Sequence, residues 1–505
     1  MQTRDSFLSV FFLFICVLSW AKPTGAQGIP RSNKMPSSTI PLSTRSLLAR
    51  NLFEKGIANF VNQKTEAALQ SWRSAAEKDP NCAVIQAFIS FTSKDPREES
   101  TARFKAKRLA GSVTPGERLL IKWMVNARED KYVASIVAMN DLVAKYKDKW
   151  LLYIASDWLM RQGSYDRARE LLQRALTLDP NYPPALNHLA YTYAAIGDFQ
   201  HAFAAMERCL TVLPNEPNPQ SSYAEILRKG GNFRGALDHY RAALKMDPSF
   251  DLAQVGIADT YALMGDEETA RKEYTVAVRD AANASERIRC ELQSALTYVR
   301  EGKHSRATGA FEVVAEHARD VHLGQLQAQA YRLTAMYQTD DSEALRFIDK
   351  AETALPHGEE ISQSDIGEER AKILEFRAIR SAALGKIEIS HRALEKLSAL
   401  ADESRNANIQ RAYHVATGSV LVQEHEEADA IPHLEEDIDN PFSMQRLVVA
   451  YRNTGAADKA NALEFRIAAI NEPTVEQALI VPELRLRLAA IPNRRRTWWS
   501  KMVSH

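Results

Sequence analysis

Between residues 149 and 282, apolar side chains recur on two scales. Locally they fall three and four residues apart, the spacing of one buried face of an α-helix. On the longer scale the whole arrangement repeats every 34 residues without slippage. Gly163, Gly197, Gly231 and Gly265 keep that step, as do Ala168, Ala202, Ala236 and Ala270, and Pro180, Pro214 and Pro248. Tyr165, Phe199 and Phe233 each follow their glycine by two residues. In residues 149–182, Leu152, Ala155, Ser156 and Leu159 predict a first helix with one buried stripe. Gly163 ends it, where a residue tolerant of positive φ is favoured. A second helix is predicted from about Asp166 to Leu178, with Ala168, Leu171, Leu172, Ala175 and Leu178 as its stripe. Asp179-Pro180 stops that helix, since proline lacks an N–H and disfavours a helical residue before it. Such a pair cannot bury its apolar face alone, so neighbouring pairs must stack.

Small residues where the helices cross, large ones beside them and a closing proline together resemble the tetratricopeptide repeat. The second clear unit carries Ala190, Tyr193, Ala202, Met206, Cys209 and Pro214. The third carries Ala224, Leu227, Ala236, Tyr240, Ala243 and Pro248; the fourth carries Ala258, Tyr261, Ala270, Tyr274 and Ala277 and lacks the proline. The resemblance implies an all-α, right-handed superhelical solenoid of antiparallel helix pairs. Residues 49–82 fit the same slots through Gly56, Phe60, Ala68, Trp72, Ala75 and Pro80. Residues 83–148 keep helical patterning but lose the spacing, with Thr114-Pro115-Gly116 read as a turn. Beyond 284 the units are degenerate: one near 288–321, weaker pairs around 325–355, 370–400 and 411–440, and a last one at 441–470. A helical stretch from Glu476 to Leu488 then leads to Arg494-Arg495-Arg496 and Trp498-Trp499.

The first residues follow another pattern. Arg4 precedes an apolar run from Phe7 to Trp20, about a signal-peptide core in length and short for a bilayer span. Cleavage is expected before Gln27; cleavage after Ala21 and an uncleaved anchor stay open. Residues 27–46, rich in Pro, Ser and Thr, read as a flexible leader. The expected location is the periplasm or cell envelope, with secretion open. The 505 residues balance 64 basic against 64 acidic side chains, so nothing global points to nucleic acid. Beyond Cys16 in the apolar run, Cys82, Cys209 and Cys290 are widely spaced and form no disulfide framework, with a single disulfide left open.

Little in the sequence suggests chemistry. His425-Glu426-Glu427 begins like a zinc-binding helix, but Asp429 stands where a second histidine would be needed. His317 and His322, five apart, are expected on different faces of one helix. Gly230-Gly231 lies in a turn and follows no strand, so it makes no phosphate cradle. No cofactor, metal or catalytic residue is assigned, and no enzyme activity is expected. In the resembling family, side chains of the first helix of each pair line a concave groove. Carried onto this sequence, the partner-binding candidates are Tyr153, Asp157, Arg161, Asn187, Tyr191, Ser221, Glu225 and Arg228, with His188, Ser222, Lys229 and Asp259 beside them. Some relatives clamp a C-terminal carboxylate with a basic residue; Tyr153 occupies that slot here and Asp157 follows, so this clamp is not expected. Paired substitution of Tyr153 and Tyr191 is expected to weaken partner binding without altering melting. The resulting expectation is a scaffold for protein partners on the concave face. The alternative is an accessory docking subunit of an envelope complex. Membrane contact is expected only through the C-terminal tail, and self-assembly is left open.

Overall fold

A computed structural model describes residues 40–490, except 63, 94, 130, 358–362 and 405. The apolar run at Phe7–Trp20, the leader before residue 40 and the Arg494–Trp499 tail lie outside the described residues. Among those described, the ordered elements are helices and turns with no strand. They fall into two compact units that divide between Ser222 and Tyr223.

The N-terminal unit contains α1 (Leu47–Val61), α2 (Thr65–Lys78), α3 (Ala83–Thr92), α4 (Pro96–Leu109), α5 (Pro115–Arg128) and α6 (Tyr132–Lys145). It continues with α7 (Lys149–Arg161), α8 (Tyr165–Leu178), α9 (Pro183–Ala195), α10 (Phe199–Val212) and the start of α11 (Pro217–Lys229). The C-terminal unit adds α12 (Phe233–Met246), α13 (Asp251–Met264), α14 (Glu267–Asp280), α15 (Ala284–Arg300), α16 (His304–Asp320), α17 (Gly324–Tyr337) and α18 (Asp341–Ala354). It ends with α19 (Gln363–Ala383), α20 (Ile387–Ser404), α21 (Ala407–Gln423), α22 (Glu427–Leu434), α23 (Pro441–Asn453), α24 (Ala457–Ala468) and α25 (Val475–Ala489). Odd-numbered helices up to α23 are the A members of successive pairs and even-numbered helices the B members. Within each unit the contacts run from A to its B and from B to the next A, the nearest-neighbour pattern of a solenoid.

The period in the sequence becomes geometry at the turns. Gly163, Gly197, Gly231 and Gly265 all adopt left-handed φ, between 75° and 85°. Each closes an A helix and returns the chain along B. In α8 the buried residues are Ala168, Leu171, Leu172 and Ala175, as the stripe predicts, whereas Leu178 at the end of the helix is exposed. Burial of each such leucine contributes about 1.5–3 kcal/mol. Glycines inside A helices serve a second purpose. A Cβ on Gly56 would lie 2.1 Å from the Trp72 ring, and one on Gly256 would lie 2.2 Å from Tyr240. Each lets an aromatic ring of the B helix rest on bare backbone.

Three local expectations are corrected. Thr114-Pro115-Gly116 begins a helix: the Thr114 hydroxyl accepts from the Glu117 N–H, and the Glu117 carboxylate accepts from the Thr114 N–H, a capping box with proline in the first turn. Residues 40–46, expected within a flexible leader, are tied to the helices. The Ser43 N–H donates to Glu117 at 2.6 Å, Thr44 Oγ1 donates to Asp79 at 2.6 Å, and the Ile40 N–H donates to Asp148 at 3.1 Å. His322 does not share a helix with His317, because α16 ends at Asp320. It stands in the turn with φ 59°, and His425 does the same before α22 with φ 64°. Both histidines occupy the conformation that glycine holds in the regular units.

Candidate protein-binding face

The predicted residues do share the A helices, but most of them are turned toward each other. Tyr153, Asp157 and Arg161 lie on α7, and Asn187, His188 and Tyr191 on α9. His188 Nε2 lies 3.2 Å from Asp157 Oδ1 and 3.4 Å from the Tyr153 hydroxyl. Arg161 Nε donates to Asp157 Oδ2 at 3.0 Å. Burial works to raise the Asp157 carboxyl, but the Arg161 guanidinium and His188 outweigh it and hold it well below the usual carboxylate range. The Asp157 charge in turn raises Arg161. Asn187 Nδ2 donates to Ser222 Oγ at 3.0 Å, joining α9 to α11.

The same construction appears in the C-terminal unit. Arg228 NH1 on α11 donates to Asp259 Oδ2 on α13 at 2.6 Å, and the Tyr274 hydroxyl on α14 donates to the other Asp259 oxygen. Burial opposes the Arg228 charge, yet Tyr240, Asp259, Glu225 and Glu472 hold its pKa above the ordinary value. Lys229 Nζ lies 2.9 Å from Glu472 and 3.7 Å from Glu225. Further along, Arg332 on α17 forms a two-bond pair with Glu369 on α19, at 2.6 and 3.1 Å. Polar pairs thus bridge one A helix to the next, and they take up side chains that the sequence reading offered to a ligand. Pairs this buried contribute little net stability but are costly to break singly, so they fix the angle between neighbouring repeats.

Of the eight candidates, Tyr153, Asp157, Tyr191, Ser221, Glu225 and Arg228 are buried and Asn187 is half-buried. Arg161 keeps about half of its side chain exposed, at 48%. The expected Tyr153 test changes accordingly. Its ring is 1% exposed and packs edge-on to His188, with centroids 4.6 Å apart. Its removal would cost folding free energy, about 3–5 kcal/mol for a buried aromatic, so a binding defect would not be separable from a stability defect.

The Tyr153–His188–Asp157 contact does not form a relay. Both partners approach the same ring nitrogen, Nε2, whereas a relay needs the carboxylate and the proton acceptor at opposite nitrogens. Sequence reasoning missed Asp259 as the acceptor for Arg228, although the two residues are 31 apart, close to one repeat. It also missed the arm Asn471–Thr474, whose contacts with Lys229 no local pattern announces.

A family model described as tetratricopeptide repeat matches residues 159–227, and a second of the same description matches 224–285. No curated protein matches the sequence. Among solved structures, a tetratricopeptide repeat protein from Parabacteroides merdae ATCC 43184 is 14% identical, covering 56% of this chain and 99% of its own, with a TM-score of 0.35. PilW, a widely conserved type IV pilus biogenesis factor, is 16% identical, covering 41% of this chain and 96% of its own, with a TM-score of 0.30. A MamA double mutant from RS-1 is 23% identical, covering 34% of this chain and 95% of its own, with a TM-score of 0.28. The 34-residue period, the helix pairs built on it and the two matching family models identify residues 159–285 of this chain as tetratricopeptide repeats.

Proposed function

We propose that the chain is a non-catalytic scaffold of the cell envelope that binds a peptide segment or helix of a partner protein along its A helices. Repeats of this family generally mediate protein–protein interaction. The observation that carries the reading is the regular stacking of A helices, set by pairs such as Asn187–Ser222, which leaves Asn187 half-buried and Arg161 half-exposed on neighbouring A helices. Side chains on helices held in this way stand in set positions, which lowers the ordering cost of binding. Affinity would then be spread over several repeats.

The test places a photoreactive residue at Asn187, which is half-buried and lies at the A-helix edge. Crosslinking in the native envelope, read by mass spectrometry, should return a stoichiometric protein partner. Arg161→Glu should then weaken its binding about tenfold, near 1.4 kcal/mol, measured at a temperature where circular dichroism shows the variant folded, since the change also breaks the pair with Asp157. Self-crosslinks alone would overturn the reading. The envelope location rests on the apolar run Phe7–Trp20 behind Arg4. N-terminal sequencing of the protein from fractionated cells should begin at Gln27, and an unprocessed chain confined to the cytosol would remove this part of the proposal.

A further inference from the structure

The segment after the last pair does not trail away. Asn471 Nδ2 donates to the backbone carbonyl of Lys229 at 3.1 Å, across 242 residues of sequence. Glu472 places its carboxylate on the Lys229 ammonium. Arg300 NH2 donates to the Thr474 carbonyl at 3.4 Å, and NH1 donates to the Gln477 side chain at 2.5 Å. The bare backbone of Gly231 faces the Asn471 amide: a Cβ there would lie 3.4 Å from it. From Val475 the segment becomes α25, capped by the Thr474 hydroxyl. Val475 and Ala478 join the core of α15 to α18, while Ile480, Val481, Leu484 and Leu488 join that of α23 and α24.

These contacts are the elements of peptide recognition. A cation meets a carboxylate, an arginine meets a main-chain carbonyl, a side-chain amide meets a helix-end carbonyl, and an amphipathic helix fills an apolar channel. Arg485 of α25 donates to the Ala468 and Ile470 carbonyls at 2.8 and 3.2 Å and to Asn471 Oδ1 at 2.7 Å, so the helix also holds the extended segment ahead of it in place.

We infer that the side of the C-terminal unit formed by Lys229, Gly231 and Arg300 is a binding face for an extended acidic segment leading into an amphipathic helix, and that Asn471–Ala489 occupies it in cis. The natural competitor is a partner segment with an amide and a carboxylate ahead of an amphipathic helix. This inference rests on the scaffold reading and deepens it. Crosslinking at Asn187 tests a different unit, so the two can fail separately.

The experiment uses the full chain and a fluorescent peptide spanning residues 469–489. Val481→Asp puts a charge at a fully buried position of α25 and should release the strap. The released chain should bind the peptide at least about tenfold more tightly than the unaltered chain, because a tethered occupant competes at a high effective concentration. Adding Lys229→Glu should abolish that binding, and a peptide carrying Glu472→Lys should restore it. Glu472→Lys in the chain is the milder variant: it should speed amide exchange over residues 469–478 and admit the peptide with helicity intact. Equal binding by released and unaltered chains, or binding indifferent to Lys229→Glu, would overturn the inference.

Discussion

Replacing Gly256 with alanine isolates the cost of closing the space between an A helix and a B helix. Gly256 lies within α13, where alanine is favoured over glycine by about 1 kcal/mol. Its new Cβ would meet the Tyr240 ring at 2.2, 2.3 and 2.8 Å, against ordinary contact at 3.4–4 Å. The ring is 2% exposed and cannot swing into solvent, so α12 and α13 must part by about 1 Å. Overpacking of this kind costs about 1–3 kcal/mol, and so short an approach belongs at the upper end. The net expectation is destabilisation of about 1–2 kcal/mol. Asp259 is on the same helix, so its bond to Arg228 should loosen too. Gly309→Ala is the control: the residue is exposed in α16, nothing lies within 4 Å of its added Cβ, and the full helix gain should appear. Urea unfolding followed by far-UV circular dichroism, with hydrogen exchange read over residues 233–264, measures both. If Gly256→Ala stabilises the protein as much as Gly309→Ala does, the backbone-to-ring packing described here is wrong.

Asp157 has a depressed pKa, so its contribution is present above the ordinary carboxylate value near 4 and is lost only as pH falls further. Asp157→Asn should therefore cost about 1.5–3 kcal/mol at pH 5–8, and a defect appearing only below pH 4 would contradict the assignment. Glu375 behaves oppositely. Burial first, then the charge of Asp437, pushes its pKa up to about 8. Its stabilising effect is complete below the ordinary glutamate value and fades as pH rises toward 8, so Glu375→Gln should gain stability over the unaltered chain across that window; parallel pH–stability curves would refute it. His322→Gly removes a side chain held at φ 59°. Relief of that strain, partly offset by a freer unfolded chain, should stabilise the α16–α17 segment by about 0.5–1 kcal/mol, measurable as slower amide exchange there.

The parts of this structure legible in the sequence are those that repeat. Gly163, Gly197, Gly231 and Gly265 marked their turns because the left-handed conformation leaves glycine as the usual choice. Where histidine fills the same conformation, at 322 and 425, the marker vanishes, because histidine spacing points to metal ligands or helix faces and not to turns. Thr114-Pro115-Gly116 has the composition of a turn, although Glu117 three residues after Thr114 completes a helix-start signature. On the candidate face, helix periodicity placed Asp157, Asn187 and Arg228 on the right elements. It could not show that each reaches across to the next A helix, since pairing between Arg228 and Asp259 depends on how repeats stack. The contact of Asn471 with Lys229 had no sequence signal at all, because nothing local relates two residues 242 apart.

That last contact changes how the protein must be made. Repeat arrays can fold by propagation, each pair adding to its neighbour as it leaves the ribosome. The C-terminal unit cannot finish this way, because Lys229 waits for an asparagine that lies 242 residues later. At about 5–20 residues per second, the interval is about 12–50 s. From the completion of α17 at Tyr337 until α25 follows, the channel beside α15 and α17 is uncovered, an apolar surface open to chaperones or to a partner already present. On the proposed binding face, a partner present during synthesis would meet no competition, whereas one arriving afterwards would first have to displace α25.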